Sequence, residues 1–423
     1  MVEKRKPIRV AEAVSQVMAY AGDGQKEKIS IQEAYGRVLG EDLIATHPVP
    51  PFDRSPYDGF AIRSKDSQEA SKEKPTVFKV VETIGAGFVA TQEVGAFEAV
   101  RIMTGAMLPS ACDAVVMLES TEEFTEDTDH FMSIKHAYQP GDNVSFQGED
   151  TEQGTVLVRK GERISPGVVA VLATFGYEEV VVAKKPLVGV LATGSELLAV
   201  GEELQPGKIR NSNAEMVGAQ IERAGATAKH FGKLSDDLEE CYELIKEAAQ
   251  QVDILITTGG VSVGDYDFLP EVYQKLGAEV LFNKIAMRPG SVTTVAYWND
   301  TFLYGLSGNP SACYVGFELL VRPVVQTRLF NETPHLQKVQ ARLGEDFLKP
   351  NPFTRFVRSK LSIRKEGLFV SPSGFNKSSA VTSLAATDVF MVLPGGTKEF
   401  RQGDSVDLLL LESNEGSEWP WAE

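Results

Sequence analysis

The spacing of apolar positions divides the chain into helical, β-rich and alternating regions. Residues 8–21 and 29–43 place apolar side chains at intervals of three and four, which predicts two amphipathic helices. Four prolines in residues 46–56 argue against a helix and predict an extended crossing between domains. A further helix is expected over residues 165–176, and we expect it to pack back on the N-terminal helices. The resulting discontinuous helical and linker domain is predicted to comprise residues 1–46 with 154–183.

Short apolar runs separated by glycine and proline begin at about residue 75. Their spacing is typical of an all-β domain, which we place at residues 47–153. Residues 335–412 have the same texture and predict a small C-terminal β-barrel or sandwich. The acidic tail that follows, SNEGSEWPWAE, is expected to be frayed.

Strands and helices alternate in residues 186–325. This order predicts βαβ units and a mostly parallel sheet, so we expect an α/β domain at residues 184–328. Three of its strands end in loops of small or polar residues, at positions 192–196, 257–260 and 307–310. Because ligands collect at the carboxyl ends of parallel strands, these loops predict a crevice for a nucleotide or a phosphate.

Residues 251–268, QVDILITTGGVSVGDYDF, are the most informative stretch. No polar residue occurs at positions 254–256, which predicts a strand buried on both faces. Gly259 and Gly260 then let backbone N–H groups approach an anion closely, and the two aspartates that follow can hold Mg²⁺ against its phosphates. The alternative for the glycines alone is a turn with solvated aspartates.

Composition limits the chemistry of this chain of 423 residues. It is 43% hydrophobic and 24% charged, which is typical of globular proteins with several domains. The net charge of −17 argues against binding to nucleic acid or anionic membranes, and it requires local cations or a metal for any anionic ligand. The scattered cysteines and histidines fit a reducing compartment and argue against zinc. Without a signal-like or membrane-spanning segment, we expect a cytoplasmic protein.

Several other motifs allow both a functional and a structural interpretation. Asp58 and Thr104 each precede a glycine and favour turns, and Asp150 lies in an acidic loop of a kind that is mostly solvated. Glu196 closely follows a buried strand. Ser235 or Asp236 is expected to cap a helix, although a carboxylate there can also reach a metal.

Two further segments combine charge with loop structure. Lys284 and Arg288 are close to a Pro-Gly turn, where cations suit a phosphate but are also routine on surfaces. In SGNPSA, Asn309 can cap a helix that has Pro310 at its first position, a full structural explanation of that motif. The chain contains no Walker A motif, no GxGxxG after a strand and no GxSxG elbow, which disfavours kinases, dehydrogenases and acyl-transfer enzymes.

Taken in order, these segments resemble the molybdopterin molybdenumtransferase family (MoeA and the E domain of gephyrin). The match comprises PPFDRSPYDGFA, RIMTGAMLP, GED, LATGSEL, TTGGVSVGDYDF, the RPG turn and SGNPSA, and it spans nearly the whole chain. TTGGVSVGDYDF by itself also resembles smaller proteins of the MogA/MoaB and CinA types. Those proteins lack the SPYDGFA and TGAMLP segments, which makes the full set specific.

The resemblance implies a molybdenum insertase of molybdenum cofactor biosynthesis. Members cleave adenylylated molybdopterin with Mg²⁺, transfer molybdenum from molybdate to the pterin dithiolene and release AMP. A MogA-like central domain is implied, in a homodimer whose cleft combines the α/β domain of one subunit with the β-rich domain of the other. Contacts with the molybdopterin adenylyltransferase and with molybdoenzymes are implied too. A non-catalytic pterin-binding scaffold and a pyrophosphatase for another adenylylated compound stay open as alternatives.

Position by position, the resemblance also implies functional residues. The implied catalytic residues are Asp58, Thr104, Asp150, Glu196, Asp236 and Asp267. The implied magnesium ligands are Glu196, Asp236 and Asp267. The implied substrate-binding residues are Gly259, Gly260, Lys284, Arg288, Ser307, Gly308, Asn309, Pro310, Arg358 and Ser378. Within this last set, the expected molybdate pocket consists of Lys284, Arg288, Arg358 and Ser378, and the backbone amides of 259–260 and 307–309 are expected to hold phosphates.

Three positions depart from the family pattern. Residues 288–292 read RPGSV where KPGKP is common, and Ser307 stands where the family commonly has the proline of LPGNP. Residues 145–147 read SFQ where arginines often precede GED. Each change reduces cationic or rigid character at the expected cleft, so it bears on molybdate affinity rather than on the class of reaction.

Overall fold

The computed structural model describes residues 6–235, 237–260, 268–413 and 415–421. They form two compact units, which are treated separately below. Unit 1 comprises Met1–Glu41, Lys160–Ser165 and Glu179–Glu423, and unit 2 comprises Asp42–Arg159 and Pro166–Glu178. The finer division into four domains stays a prediction. Within the part of the chain that the structure describes, no helix has both the length and the apolar character needed to cross a bilayer.

Unit 1 is built around a six-stranded sheet that is mostly parallel, as the alternating pattern predicted. The order of its strands is Thr227–Lys233, Leu187–Ala192, Ile254–Thr258, Thr301–Leu306, Thr294–Trp298 and Glu279–Phe282. The first four run parallel, and the last two are antiparallel to their neighbours. Alternate residues of the central strand serve opposite faces: Ile254 and Ile256 belong to one apolar core and Leu255 to the other.

Helices cover both faces of this sheet. One face packs against Val10–Met18, Ser212–Arg223 and the continuous helical run Pro310–Gly316, Phe317–Val321 and Arg322–Arg328. The other face packs against Leu238–Ala249 and Leu269–Leu276. The N-cap of the helix Leu238–Ala249 is Asp237, whose side chain accepts a hydrogen bond from the Glu240 N–H. The cap predicted at Ser235 or Asp236 was therefore wrong by two positions or one.

The C-terminal strands of unit 1 close into a five-stranded barrel. Around the barrel, the strands are Thr354–Arg364, Gly367–Pro372, Lys338–Leu343, Ser405–Leu410 and Val389–Leu393, and the last pairs again with the first. A short sixth strand, Met287–Arg288, comes from the α/β region and pairs in parallel with Thr354 and Arg355. This pairing joins the barrel to the segment between the central-sheet strands Glu279–Phe282 and Thr294–Trp298. The barrel expected from the sequence is therefore confirmed.

Unit 2 contains a second six-stranded sheet. Its strands, in spatial order, are Ala114–Met117, Gly59–Ile62, Glu98–Ile102, Thr76–Ile84, Asp129–Ile134 and Thr121–Glu126. Unit 2 also contains the strand pair Leu43–Ile44 with Val156–Val158, the helix Pro166–Thr174 and the short 3₁₀ helices Ser64–Ser67 and Leu118–Ser120. The β-rich character predicted here is confirmed, but Gly59 begins a buried strand rather than belonging to a turn.

One expectation about the helices near the N-terminus was wrong. The only helical structure in residues 29–43 is a short 3₁₀ turn, Ile31–Glu33, and Lys26–Ser30 pairs instead as a strand with Glu179–Ala183. This pairing connects segments far apart in the chain, so local spacing could not reveal it. The helix Pro166–Thr174 belongs to unit 2, whereas Val10–Met18 packs within the apolar core of unit 1.

The expectation of a frayed C-terminal tail was also wrong. Gly416–Ser417 pairs with His335–Leu336, and the rings of Trp419 and Trp421 lie 5.5 and 6.3 Å from that of His335. Burial, followed by the charge of Arg322, lowers the pKa of His335 to about 4. The tail is therefore part of the fold as far as residue 421.

Candidate functional site

The three predicted loops of unit 1 meet at the carboxyl edge of the central sheet. They follow neighbouring parallel strands and are joined by backbone hydrogen bonds. The Thr193 N–H donates to the Thr258 carbonyl at 3.0 Å, and the Gly259 N–H donates to the Leu306 carbonyl at 2.8 Å. These bonds hold the ends of the three loops side by side.

Gly259 must be glycine in this arrangement. Its φ is +93°, and a Cβ placed there would collide with the Thr193 hydroxyl. In the neighbouring loop, a Cβ on Gly308 would lie 3.5 Å from the Gly259 Cα, which is an ordinary van der Waals contact. Small residues thus leave the backbone accessible where the loops converge.

A cavity of about 1230 Å³ opens beside these loops. From the sequence-based set, its wall includes Glu196, Gly259, Gly260, Arg288, Ser307, Gly308, Asn309, Arg358 and Ser378. The described wall carries four cationic side chains, Arg288, Arg355, Arg358 and Lys377, against a single carboxylate, that of Glu196. The described part of the wall is therefore positive within an acidic chain, as an anionic ligand requires.

Arg358 is the most unusual group in the wall. Its side chain is only 2% exposed, and no carboxylate pairs with it among the described residues. Nε donates to the Ser383 hydroxyl, and Nη2 donates to the carbonyls of Phe375 and Lys377, all at 3.2 Å. Burial lowers the pKa of Arg358. In the described structure its Nη1 has no hydrogen-bond partner, so a buried donor is left available at the cavity.

The loop beyond Arg358 presents further donors. The Asn376 side-chain nitrogen is likewise buried without a partner among the described residues. The backbone of Ser378 is fixed because its carbonyl accepts from the Ser311 N–H at 3.0 Å, and the Ser311 hydroxyl donates to Ala380 O at 2.6 Å. This loop is thus anchored to the first turn of the helix that follows Asn309.

Arg355, Asn376 and Lys377 line the cavity without having been found from the sequence. No motif marks them, since Arg355 lies in an ordinary strand and Asn376 and Lys377 lie in a polar loop. Their position depends on the pairing of Met287–Arg288 with the barrel, which connects distant parts of the chain. The one signal available was the resemblance of the neighbouring Arg358 and Ser378 to family positions.

Unit 2 brings together the predicted pair Asp58 and Thr104. Asp58 Oδ1 accepts hydrogen bonds from the Thr104 N–H at 2.7 Å and from its hydroxyl at 2.8 Å. The backbone donor, followed by the hydroxyl, lowers the pKa of Asp58. The carboxylate is exposed and held in one orientation, which suits an interaction with a polar ligand.

Asp150 lies in a nearby exposed loop of unit 2. The loop pairs with the segment before Asp58, through backbone hydrogen bonds in both directions between Arg54 and Ser145 at 2.9 Å. Glu149 is occupied locally, because its carboxylate accepts from the Ser145 hydroxyl and from the Phe146 N–H. Of the neighbouring carboxylates of Glu149 and Asp150, that of Glu149 is hydrogen-bonded within its own turn. No such bond is found for Asp150 among the described residues.

Some expected residues are not in the cavity wall, and others lie outside the described residues. Lys284 and Pro310 do not line the cavity. Asn309 occupies the N-cap position before Pro310, but its side chain makes no capping hydrogen bond. Asp236 and Asp267 are outside the described residues. Among the residues that are described, no group of three potential ligands could hold a metal ion.

Comparison with known proteins bears on the whole chain. The molybdopterin molybdenumtransferase of Bacillus subtilis is 57% identical over 422 residues, which cover 100% of this chain and 98% of that protein. The chain belongs to the molybdopterin molybdenumtransferase family. Its counterpart in Staphylococcus epidermidis is 50% identical over 413 residues, covering 98% of each protein. The resemblance carried by the sequence motifs is therefore confirmed, and this member of the molybdopterin molybdenumtransferase family is an enzyme.

Models of the family's parts match in the expected order. The MoeA N-terminal region (domain I and II) matches residues 8–176, a probable molybdopterin binding domain matches residues 189–327, and the MoeA C-terminal region (domain IV) matches residues 340–411. The crystal structure of a molybdopterin biosynthesis MoeA protein from Pyrococcus horikosii has a TM-score of 0.86 and 32% identity. It covers 96% of this chain and 100% of its own. The fold that the sequence predicted for this chain is thus confirmed.

Proposed function

We propose that this enzyme inserts molybdenum into molybdopterin and uses an adenylylated form of the pterin as its substrate. In this reaction, water attacks the phosphoanhydride of the adenylylated pterin in the presence of Mg²⁺ and AMP leaves. Molybdate then gains two bonds to the dithiolene sulfurs, and the oxygen that it loses leaves as water with the thiol protons. Family membership supports the transfer of molybdenum, and the cavity supports the handling of two anions. Tetrahedral molybdate and a nucleotide phosphate both need donors and positive charge, which the wall supplies.

The observation that carries this proposal is the buried Arg358, whose Nη1 has no hydrogen-bond partner among the residues that the structure describes. A buried donor without an acceptor is costly, and an oxyanion bound against it would remove that cost. Asn376 offers a second unpartnered nitrogen, and the hydroxyl of Ser378 is a third group in the same wall. Together they suit a small doubly charged tetrahedral ion.

The loops at the carboxyl edge of the sheet suit the phosphates. Gly259 and Gly308 leave the backbone uncovered, so N–H groups can approach phosphate oxygens without hindrance from side chains. The same wall contains Phe268, Leu269 and Val272, which supply apolar contact for a ring system. The enzyme's own contribution is to bind and orient both substrates and to shield the reacting phosphoanhydride from bulk water.

The described residues offer one ligand for Mg²⁺, the exposed Glu196 at the carboxyl edge of the sheet. A carboxylate there fits a hard cation, which prefers oxygen ligands and usually one or two carboxylates together with phosphate oxygens. The other proposed ligands, Asp236 and Asp267, lie outside the described residues. The ion would withdraw charge from the phosphoanhydride when bound. Glu196 would orient it, and the N–H groups of the loops would hold the phosphates.

We further propose that Asp58 and Thr104 act in the cleft of a second copy, so that the enzyme works as a homodimer. The fixed orientation of the Asp58 carboxylate supports a role at a ligand rather than in a flexible surface loop. Each copy would then contribute unit 2 to the cavity of the other. Asp150, exposed in the loop paired to the same segment, is the second acidic side chain proposed for that role.

The proposal is tested by incubating the enzyme with adenylylated molybdopterin, Mg²⁺ and molybdate. We expect AMP release to depend on both ions and to be accompanied by molybdenum bound to the pterin, measured by chromatography and elemental analysis. AMP release without metal transfer would support a pyrophosphatase instead. Binding of the pterin without either product would support a scaffold and contradict the proposed function.

A further inference from the structure

The cavity contains a second basic group, separate from Arg358. Arg355 lies near the start of the strand Thr354–Arg364, and Arg288 is its register partner on the short strand paired in parallel with it. Both arginines line the cavity. Register partners on neighbouring strands project from the same face of a sheet, so the two guanidinium groups are neighbours.

No carboxylate neutralises this pair within the described parts of the chain. Arg355 Nε donates to Asn351 Oδ1 at 2.5 Å, and its Nη2 donates to the Pro350 carbonyl at 3.3 Å. These neutral acceptors fix the side chain but leave its charge uncompensated. Burial, followed by the charge of Arg288, lowers the pKa of Arg355. An anion bound between the two guanidinium groups would relieve their repulsion.

Arg355 and Arg358 serve different parts of the wall. They are three residues apart on one strand, so their Cα atoms are about 10 Å apart and their side chains leave from opposite faces. The intervening residues show the same alternation, since Phe356 belongs to the core of the α/β region and Val357 to the core of the barrel. The neutral partners of Arg355 are at positions 350–351, whereas those of Arg358 lie at positions 375–383.

We propose that Arg355, together with Arg288, binds a phosphate group of the nucleotide-bearing substrate, at a position distinct from the oxyanion held by Arg358. The identity of the two anions rests on the proposed function. The buried, fixed Arg358 suits a small ion enclosed by the loop around Ser378. Arg288 is exposed and Arg355 half-buried, which suits a phosphate that enters as part of a larger molecule. Arg288 was expected to join the molybdate pocket, and this proposal reassigns it.

The test compares the binding of two probes, AMP and molybdate, to the full-length protein by isothermal titration calorimetry. For Arg355→Gln, we expect the Kd for AMP to rise about ten- to a hundredfold, the effect of losing one charge-assisted contact. The Kd for molybdate should change by less than about threefold, as for distant sites. Arg364→Gln is the matched control, because Arg364 ends the same strand and packs on Phe369 outside the cavity. It should leave both constants unchanged.

Arg288→Gln provides an independent variant in case Arg355→Gln does not fold, because Arg288 is exposed and makes no ion pair with the described residues. It should weaken AMP binding in the same way. Equal losses for AMP and molybdate would mean a single oxyanion site, and unchanged AMP binding would exclude contact with phosphate. Either result overturns the inference. If the variants show the expected binding pattern but the wild-type enzyme releases no AMP from the adenylylated pterin, only the proposed function is contradicted.

Discussion

Individual carboxylates of this chain differ in what surrounds them. Asp58 receives two donors from Thr104, and both lower its pKa. Because that pKa is lower in the folded chain than in the unfolded chain, the contact stabilises the fold above the unfolded pKa. The stabilisation is lost as the pH falls through the folded pKa. Glu196, by contrast, lies at the cavity edge as its single described carboxylate.

The first prediction concerns the hydroxyl of Thr104. Thr104→Val removes the side-chain donor and keeps the backbone donor, so the pKa of Asp58 should rise part of the way towards its ordinary value. Titration of the Asp58 carboxyl carbon by NMR measures this shift. Thr104→Ser keeps the hydroxyl and serves as the control with an unchanged midpoint. An identical midpoint in the valine variant would show that the hydroxyl has no influence on the carboxylate.

Some residues of the site could be found from the sequence and others could not. Gly259 and Gly308 could be found because each follows a buried strand, where glycine lets the backbone approach a ligand closely, although a turn was the alternative for Gly259. Arg358 was found through resemblance alone, since nothing in its local sequence shows that it is buried. Arg355 was missed because its neighbour Arg288 is brought to it by strand pairing over a long separation. Tertiary pairing of this kind leaves no local signal.

Secondary-structure elements show where the backbone itself limits substitution. The strand Gly59–Ile62 lies between Ala114–Met117 and Glu98–Ile102 in the sheet of unit 2. A Cβ on Gly59 would collide with the Val116 carbonyl of the neighbouring strand. Glycine is therefore required by the close approach of two backbones, next to Asp58.

Gly59→Ala should therefore destabilise unit 2. The added methyl group forces the two strands apart, and we expect the free energy of unfolding to fall by about 1–3 kcal/mol, as for overpacked cores. Urea unfolding followed by circular dichroism measures the loss. Gly85→Ala is the matched control, because nothing lies within 4 Å of a Cβ there, and its stability should stay within about 0.5 kcal/mol. Equal stability of the two variants would show that the sheet tolerates the methyl group.

The C-terminal tail gives a prediction about pH. The pKa of His335 is about 4 in the fold and its ordinary value is 6.5, so the unfolded chain binds the proton more readily. Stability is therefore full above about pH 6.5 and falls as the pH drops towards 4. His335→Phe should remove this loss, which is about 2 kcal/mol between pH 7 and pH 5 for the wild type. Urea unfolding at the two pH values tests it, with the exposed His136→Phe as the control. A wild-type-like loss in His335→Phe would contradict the assignment.

Elements that the local sequence determines were predicted correctly. The strand Ile254–Thr258 is apolar on both faces because helices cover both, and its sequence shows this directly. Residues 29–43 were misread because partners from positions 163 and 179–183 turn them into extended segments. The tail was misread because its order comes from the packing of Trp419 and Trp421 around His335. Acidic composition says nothing about that contact.

At the scale of the whole molecule, the net charge of −17 and the cationic cavity have opposite signs. Long-range repulsion keeps anions away in general, and short-range donors select those that fit the wall. Binding of anionic substrates is therefore expected to depend on contacts inside the cavity rather than on attraction from a distance.

The proposed homodimer predicts complementation between two damaged chains. Asp58→Asn alters unit 2, Glu196→Gln alters unit 1, and each alone should abolish AMP release if the cleft is shared between copies. In an equal co-expressed mixture, half of the dimers are mixed and each has one intact cleft, so about a quarter of wild-type activity should return. Mixing Glu196→Gln with Arg358→Gln, both in unit 1, should restore none. If sedimentation shows that dimers form in the mixture but no activity returns, each cleft belongs to a single chain.

The short strand Met287–Arg288 has a consequence for biosynthesis. It covers an edge of Thr354–Arg364 near the point where that long strand extends beyond its barrel partner Gly367–Pro372. An open strand edge can pair with any neighbouring chain and so start aggregation. During translation, the covering residues leave the ribosome before the strand that they protect. The strand Thr354–Arg364 can therefore pair with Met287–Arg288 as soon as it emerges. This pairing reduces the opportunity for neighbouring nascent chains on the same message to pair with its open edge.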